Sequence, residues 1–138
     1  MVSSRDFLSH AQTLVLAAST QSNPAAAELC ERRPISAAYY AVFHAARRYR
    51  AQRLAQSGES QHEILFNVGH DVLWRWTKDA GVKTRILITC NTLRSARNKA
   101  DYEIQLPVQD DPSRCLERAT SVVQEFEALE AALTSEKS

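Results

Sequence analysis

The chain is predicted to fold as an all-α protein, an antiparallel up-and-down helical bundle of four main helices plus a short extra helix. Its 138 residues include only three glycines and four prolines, so few positions favour loops or hairpin turns. Apolar residues recur three and four positions apart in several long segments, the spacing that places them on one face of a helix. The length is sufficient for one hydrophobic core, and we expect a single domain over residues 1–138.

The composition restricts the expected partners and compartment. The formal net charge is +1, so attraction to nucleic acid would have to come from a local patch. Cys30, Cys90 and Cys115 are odd in number and lack metal-ligand spacing, which favours free thiols in a reducing compartment. The chain has no apolar run of about 18 residues and no signal-peptide core near Met1, so we expect a cytoplasmic protein that does not associate with membranes.

The first helix is predicted to begin after Ser3, which can form a capping box with Asp6. Its core-facing residues have helical spacing and are Phe7, Leu8, Ala11, Leu14, Val15 and Ala18.

The second main helix is predicted from about Ile35 to Arg53, after a short extra helical turn from Pro24 to Leu29. Pro34 is expected to interrupt the extra turn and to begin the long helix, because proline is favoured at the first helical position. In this helix small alanines alternate with large aromatic residues, namely Tyr39, Tyr40, Phe43 and Tyr49. Its second half carries Arg47, Arg48, Arg50 and Arg53. These arginines form either a solvated helix end or part of a phosphate-binding strip.

Three further helices follow. Ser60 and Glu63 predict a capping box at the start of the third helix, whose core face would be Ile64, Leu65, Val68, Val72, Leu73 and Trp76. The fourth is predicted from about Lys83 to Ala100, with buried Ile86, Leu87, Cys90 and Leu93. Asp111 and Pro112 supply an N-cap and a first residue for the last helix. Its core face is Leu116, Ala119, Val122, Val123, Phe126, Leu129 and Leu133.

The fourth helix ends in a polar stripe, which is the most informative segment of the chain. Residues three and four positions apart share a helix face, and the stripe so formed consists of Arg94, Arg97, Asn98 and Asp101 and runs into Tyr102. Charge next to a core is costly unless it is paired. The stripe therefore indicates either a fixed ion-pair network, with Arg97 paired to Asp101, or an anion-handling site.

Two segments, in this order, resemble the HEPN superfamily of small helical nucleotide-binding domains. One is the Tyr39-Tyr40-Ala41 segment of the second helix, and the other is the Arg-x-x-x-Asp-Tyr element from Arg97 to Tyr102. With the closing amphipathic helix, the resemblance covers roughly Phe7 to Leu133 and is to the short branch of the superfamily.

The resemblance implies an RNA- or nucleotide-binding protein that forms a homodimer. Many members are metal-independent endoribonucleases that act as toxins or in defence systems, and others are non-catalytic partners of a small nucleotidyltransferase. Arg97 matches the arginine of the catalytic motif and Asn98 the polar residue after it. The histidine of the motif is absent, because Tyr102, Glu103 and Ile104 occupy its positions.

If the protein cleaves RNA, we expect Arg97, Asp101 and Tyr102 to be catalytic. Arg97 would stabilise the charge that develops on phosphorus, and proton transfer would fall to Asp101 or Tyr102. This mechanism requires that the guanidinium of Arg97 opens onto a solvent-reachable cleft. The residues expected to bind the substrate are Arg94, Asn98, Tyr40, His44 and Arg47.

Three functions remain open: an endoribonuclease toxin that an antitoxin controls, a non-catalytic partner of a nucleotidyltransferase or other effector, and a structural scaffold. No cofactor is expected. A metal site is not expected either, because His62 and His70 are eight residues apart rather than the four that place two ligands on one helical turn. Tyr39, Tyr40 and His44 are alternatively interpreted as packed side chains.

Overall fold

The computed structural model describes residues 2–20, 22–58, 67–103, 108 and 110–136, and only the backbone of Ser19, residues 24–29 and Glu136. These ranges contain five helices and no strand, so the predicted all-α class is confirmed. The helices are α1 (Ser4–Ser19), α2 (Pro24–Gln56), α3 (His70–Asp79), α4 (Thr84–Tyr102) and α5 (Pro112–Glu136). None of these helices has the length and apolar character needed to cross a bilayer.

The core is organised around α2, which packs against each of the other four helices. Its largest fully buried side chains include Tyr39 and Ile35, which share the core with Leu73, Leu93 and Phe126. Helix α2 carries buried alanines at positions 37, 38, 41, 45, 46 and 51. Because an alanine side chain is a single methyl group, these positions let neighbouring helices approach α2 closely.

Both predicted helix caps that fall within the described residues are confirmed. At α1, Ser3 Oγ accepts a hydrogen bond from the Asp6 backbone N–H at 3.2 Å, and Asp6 Oδ2 accepts one from the Ser3 N–H at 2.8 Å. At α5, Asp111 Oδ1 accepts from the Ser113 N–H at 3.0 Å, and Pro112 is the first helical residue. Each cap satisfies a backbone donor that the helix itself leaves unpaired.

The predicted interruption at Pro34 is wrong, because α2 runs through Pro34 as one helix of 33 residues. A proline in a helix interior lacks one N–H donor and costs about 3 kcal/mol relative to alanine. Pro34 is fully buried, as is Ile35 beside it. Burial of this apolar surface offsets the missing hydrogen bond, so the extra turn and the long helix join.

The predicted third helix is not continuous within the described residues, and α3 covers its second part. Helix α3 begins at His70, and residues 67–69 are not helical. Gly69 is its N-cap, with extended backbone angles (φ −73°, ψ 165°), as is usual at this position. Val68 therefore precedes the helix. The predicted capping box and its first apolar residues, in the segment 60–65, lie outside the described residues.

The core face of α3 also differs from the prediction. The buried residues are Leu73, Trp74 and Thr77, whereas Val72 is exposed. Leu73 and Thr77 are four residues apart and share one side of the helix, so Val72 falls on the solvent side. Trp76 is partly buried against the core.

Helix α4 is close to the prediction and extends two residues further, to Tyr102. Its apolar residues Ile86, Cys90, Leu93, Ala96 and Ala100 are buried. The same face includes Arg97, so a charged side chain lies within the apolar stripe of the helix.

Candidate functional site

The second half of α4 lies against the middle of α2, and Arg97 and Asp101 of the polar stripe contact α2 there. The guanidinium of Arg97 is the centre of this contact. Nη2 of Arg97 donates a hydrogen bond to Tyr40 Oη at 3.0 Å, and Nη1 donates to Asn98 Oδ1 at 2.7 Å. Nε lies 3.5 Å from Asp101 Oδ2 in an ion pair. Two of the three guanidinium nitrogens therefore make hydrogen bonds, whereas Nε has the ion pair and no hydrogen bond within the described part of the chain.

Three tyrosine rings surround the same guanidinium. Its carbon Cζ lies 5.4 Å from the ring centroid of Tyr39, 5.3 Å from that of Tyr40 and 5.5 Å from that of Tyr102, within the range of cation–π attraction. Burial acts to lower the pKa of Arg97. The hydrogen bond to Tyr40, with the electrostatic influence of Tyr40, Tyr102 and Asp101, outweighs it, and the pKa is raised. The side chain is cationic at all ordinary pH values.

The expectation that Arg97 opens onto a solvent-reachable cleft is wrong. Only 8% of the residue is exposed, because the tyrosine rings and Asp101 cover it. A phosphodiester cannot contact this guanidinium without displacing a partner. Arg97 instead holds Asn98, Asp101 and Tyr102 in fixed positions from behind.

Asp101 and Tyr102 lie on the solvent side of this cluster. Asp101 Oδ2 accepts a hydrogen bond from Ser36 Oγ of α2 at 3.2 Å, in addition to the ion pair with Arg97. Tyr102 is 71% exposed, unlike the other Phe, Tyr and Trp residues that the structure describes. Its ring is thus available to a ligand.

A buried arginine that the sequence did not single out supports the end of α4. Nη1 of Arg32 donates to the backbone carbonyl oxygens of Ala100 (3.0 Å), Lys99 (3.3 Å) and Glu103 (3.4 Å). The last carbonyls of a helix lack partners within it and carry partial negative charge. Arg32 therefore caps α4 and fixes the backbone that carries Asp101 and Tyr102.

A shallow groove runs along the solvent side of α4 next to this cluster. We refer to it as the α4 groove, and it is lined by Asn91, Arg94, Ser95, Asn98, Lys99, Tyr102 and Glu103. Three predicted site residues, Arg94, Asn98 and Tyr102, thus meet in one place. Cationic, amide, hydroxyl and aromatic groups are the side chains that contact phosphate and bases.

Arg94 is the accessible arginine of the stripe. Its Nη1 donates to Asp71 Oδ1 of α3 at 2.8 Å, and 30% of its side chain and 78% of that of Asp71 are exposed. Ion pairs this exposed contribute only about 0.2–1 kcal/mol. A phosphate group could therefore replace Asp71 at low cost.

The predicted binding residues on α2 do not reach the α4 groove. Tyr40 is half-buried behind Arg97 as its hydrogen-bond acceptor. His44 is buried and its ring lies 5.9 Å from that of Phe7 on α1. Arg47 lies over the ring of Phe43, with Cζ 4.7 Å from the centroid.

A histidine that the sequence did not indicate as a binding residue lies in this region. His70 begins α3, its Nδ1 is 2.6 Å from Tyr39 Oη, and its ring stacks on Phe43 at 4.1 Å. Burial lowers the pKa of His70, and Arg97, Arg94 and Arg47 lower it further, whereas Asp71 acts in the opposite direction. No local spacing signals these contacts, because Tyr39 is 31 residues away in sequence.

Among the residues that the structure describes, no group of three or more His, Cys, Asp or Glu side chains is arranged to hold a metal ion.

Comparisons with protein-family models, with curated proteins and with solved structures gave no match. A functional assignment must therefore be argued from the residues of the site.

Proposed function

We propose that the protein is a HEPN-type RNA- or nucleotide-binding protein whose ligand binds along the α4 groove. The observation that carries this proposal is the contrast between a sealed Arg97 and the accessible side chains that it supports. Arg94 and Lys99 supply positive charge for phosphate. Asn98 supplies an amide, and the exposed ring of Tyr102 offers a surface on which a base can stack.

The buried tyrosine–arginine cluster explains how such a groove keeps its shape. A binding surface on a single helix face needs side chains whose positions are set before the ligand arrives. Arg97 fixes the amide of Asn98 by a 2.7 Å hydrogen bond and lies beneath the ring of Tyr102. Arg32 fixes the backbone at the end of α4.

RNA cleavage without a metal is one activity that this assignment allows. Asp101 and Tyr102, which would transfer protons in that reaction, lie on the solvent side of the cluster. A toxin role in a toxin–antitoxin or defence system would accompany it. The second candidate is a non-catalytic partner of a small nucleotidyltransferase or other effector. Burial of Arg97 favours this second role, because the side chain expected to stabilise the transition state does not face the ligand.

The orientation of the helices and the oligomeric state belong to the same proposal. Arg85 of α4 pairs with Glu125 in the middle of α5, whereas Asn91 to Lys99 lie near Asp110, just before α5 begins. This pattern supports an antiparallel course of α4 and α5 within an up-and-down bundle.

We propose a homodimer, for which light scattering should give about twice the 15.5 kDa mass of the chain.

The binding proposal can be tested by fluorescence anisotropy with a labelled single-stranded RNA and with labelled nucleotides. Arg94→Ala should weaken RNA binding and reduce the dependence of log affinity on log salt by about 0.7, the value for one lost phosphate contact on a single strand. Arg85→Ala is the matched control. Arg85 is an exposed arginine of the same helix and pairs with a carboxylate of another helix at 2.9 Å.

The two arginine variants give opposite results if the groove is the binding site. Loss of affinity in Arg94→Ala and Tyr102→Ala, with unchanged affinity in Arg85→Ala, supports the proposal. Equal losses in Arg94→Ala and Arg85→Ala would indicate a general charge effect and reject the groove. Incubation of the RNA with purified protein and EDTA then separates the ribonuclease from the non-catalytic binder.

A further inference from the structure

The imidazole of His70 is held rigidly against α2. Its ring centroid lies 4.1 Å from that of Phe43 at an interplanar angle of 21°, and 5.5 Å from that of Tyr39 at 20°. Nearly parallel rings on two consecutive turns of α2 fix the plane of the imidazole. These contacts do not fix which ring nitrogen carries the proton.

The hydrogen bonds around Tyr39 determine which ring nitrogen carries the proton. Trp74 Nε1 donates to Tyr39 Oη at 3.1 Å, since an indole N–H can only donate. Tyr39 is fully buried, and burial raises its pKa, so the phenol keeps its proton. His70 Nδ1 lies 2.6 Å away and can accept this proton. In that arrangement a neutral His70 carries its own proton on Nε2.

Burial lowers the pKa of His70, and charged groups from three helices also act on it. Arg97 and Arg94 of α4 and Arg47 of α2 lower this pKa further, whereas Asp71 of α3 raises it. Arg94 is bound to Asp71, the residue that follows His70. This ion pair places the accessible guanidinium at the same end of α3 as the imidazole.

We propose that His70 and Arg94 together bind a phosphodiester group, to which His70 donates a hydrogen bond from Nε2 as a neutral imidazole. Nε2 lies on the opposite side of the ring from Nδ1 and so faces away from Tyr39, and His70 is partly exposed. Arg94 supplies charge and His70 supplies a directional donor. The inference rests on the proposed function, because it names a further contact for the same RNA or nucleotide.

The state of the ring can be measured in the unmodified protein by ¹⁵N NMR with labelled histidine. At about pH 7.5, Nδ1 of His70 should show the shift of an unprotonated nitrogen and Nε2 that of a protonated one. Addition of a short single-stranded RNA should shift Nε2 of His70 and leave His10, an exposed histidine of α1, unchanged. A protonated Nδ1, or an Nε2 that does not respond to RNA, overturns the proposal.

Binding measurements give an independent test. His70→Phe keeps the ring stacking and removes both nitrogens, and it should lower RNA affinity about tenfold, the usual size for one hydrogen bond to a charged group. His10→Phe is the control and should bind like the wild type. Wild-type affinity should stay constant from about pH 7 to 8.5, because a neutral donor does not titrate there. Affinity that falls steadily over this range would indicate a bound imidazolium and contradict the proposal.

Tyr39→Phe keeps the test decisive if His70→Phe does not fold. It retains His70 but removes the hydroxyl that selects the tautomer, so the two averaged ring ¹⁵N shifts should move towards each other and affinity should fall by less than in His70→Phe. A single unchanged tautomer would contradict the proposal. RNA binding that depends on Arg94 but not on His70 overturns this inference alone. Absence of any RNA or nucleotide binding by the wild type overturns it together with the proposed function.

Discussion

Tyr40 of α2 accepts a hydrogen bond from Arg97 of α4 at 3.0 Å, and this contact joins the two helices at the site. Tyr40→Phe should lower the free energy of unfolding by about 1–3 kcal/mol, because it leaves a buried cationic donor without its acceptor. Urea denaturation measures the change. Tyr49→Phe is the control, since Tyr49 accepts at 3.0 Å from Arg53, which also donates to Ala80 and is less buried. A loss in Tyr49→Phe as large as in Tyr40→Phe would show that the burial of Arg97 is unimportant.

Arg32 should keep the last turn of α4 well ordered. Arg32→Met removes the donor to three carbonyl oxygens, and we expect a loss of about 0.5–2 kcal/mol, the range for a cation at a helix C-terminus. Amide hydrogen exchange near Tyr102 should become faster, and RNA affinity should fall although no groove residue has changed. Arg33→Met is the matched control, because Arg33 is adjacent and exposed. Unchanged exchange in Arg32→Met would contradict the capping role.

His44 should make the protein less stable in mild acid. Burial lowers the pKa of His44, and Arg47 and Arg48 lower it further, against the influence of Asp6. The ordinary pKa of histidine is about 6.5. Below this pH the unfolded chain therefore binds a proton that the folded protein does not, and the free energy of unfolding decreases as the pH is lowered. The difference between about pH 7.5 and 5.5 should be smaller in His44→Leu than in the wild type, as followed by urea denaturation.

Part of this pH dependence should persist in His44→Leu, because the pKa of His70 is also lowered. The double variant His44→Leu/His70→Phe should lose most of it. His10→Leu, which replaces an exposed histidine, is the control and should retain the wild-type pH dependence. An unchanged pH dependence in the double variant would show that neither imidazole is responsible.

The three cysteines should differ in reactivity towards a thiol reagent. Burial raises the pKa of Cys90 to about 12 and that of Cys115 to about 11, so the reactive thiolate is scarce at both. Cys30 is only partly buried. We expect one rapidly reacting thiol in the folded protein and three after denaturation. Cys30→Ser should abolish the rapid phase, and a rapid phase that remains would place Cys90 or Cys115 in contact with solvent.

Features that depend on neighbouring residues could be predicted from the sequence. The caps at Ser3 and Asp111 are formed by side chains within three residues of their partners, and both are present. The apolar face of α5 could likewise be predicted, because it follows from the spacing of nearby residues. The continuation of α2 through Pro34 could not be predicted in this way. A proline interrupts a helix unless burial of the surrounding segment compensates, and burial is a property of the whole fold.

The candidate site could be predicted only in part, for a related reason. Helical spacing correctly grouped Arg94, Arg97 and Asn98 on one side of α4. It could not show that Arg97 turns inwards, because its acceptor on Tyr40 is 57 residues away in the sequence. His70 was missed because its position depends on the aromatic face of α2. Helical spacing therefore located the helix face, whereas packing against α2 decided which of its side chains are buried.

The buried alanines of α2 limit how this sequence can diverge. A side chain larger than a methyl group at Ala38 or Ala41 would wedge neighbouring helices apart, and such overpacking typically costs about 1–3 kcal/mol. The damage would not remain local, because the same helix carries Tyr39 and Tyr40, which hold His70 and Arg97. We therefore expect homologues to conserve small residues at these positions even where the groove itself has changed to suit another ligand.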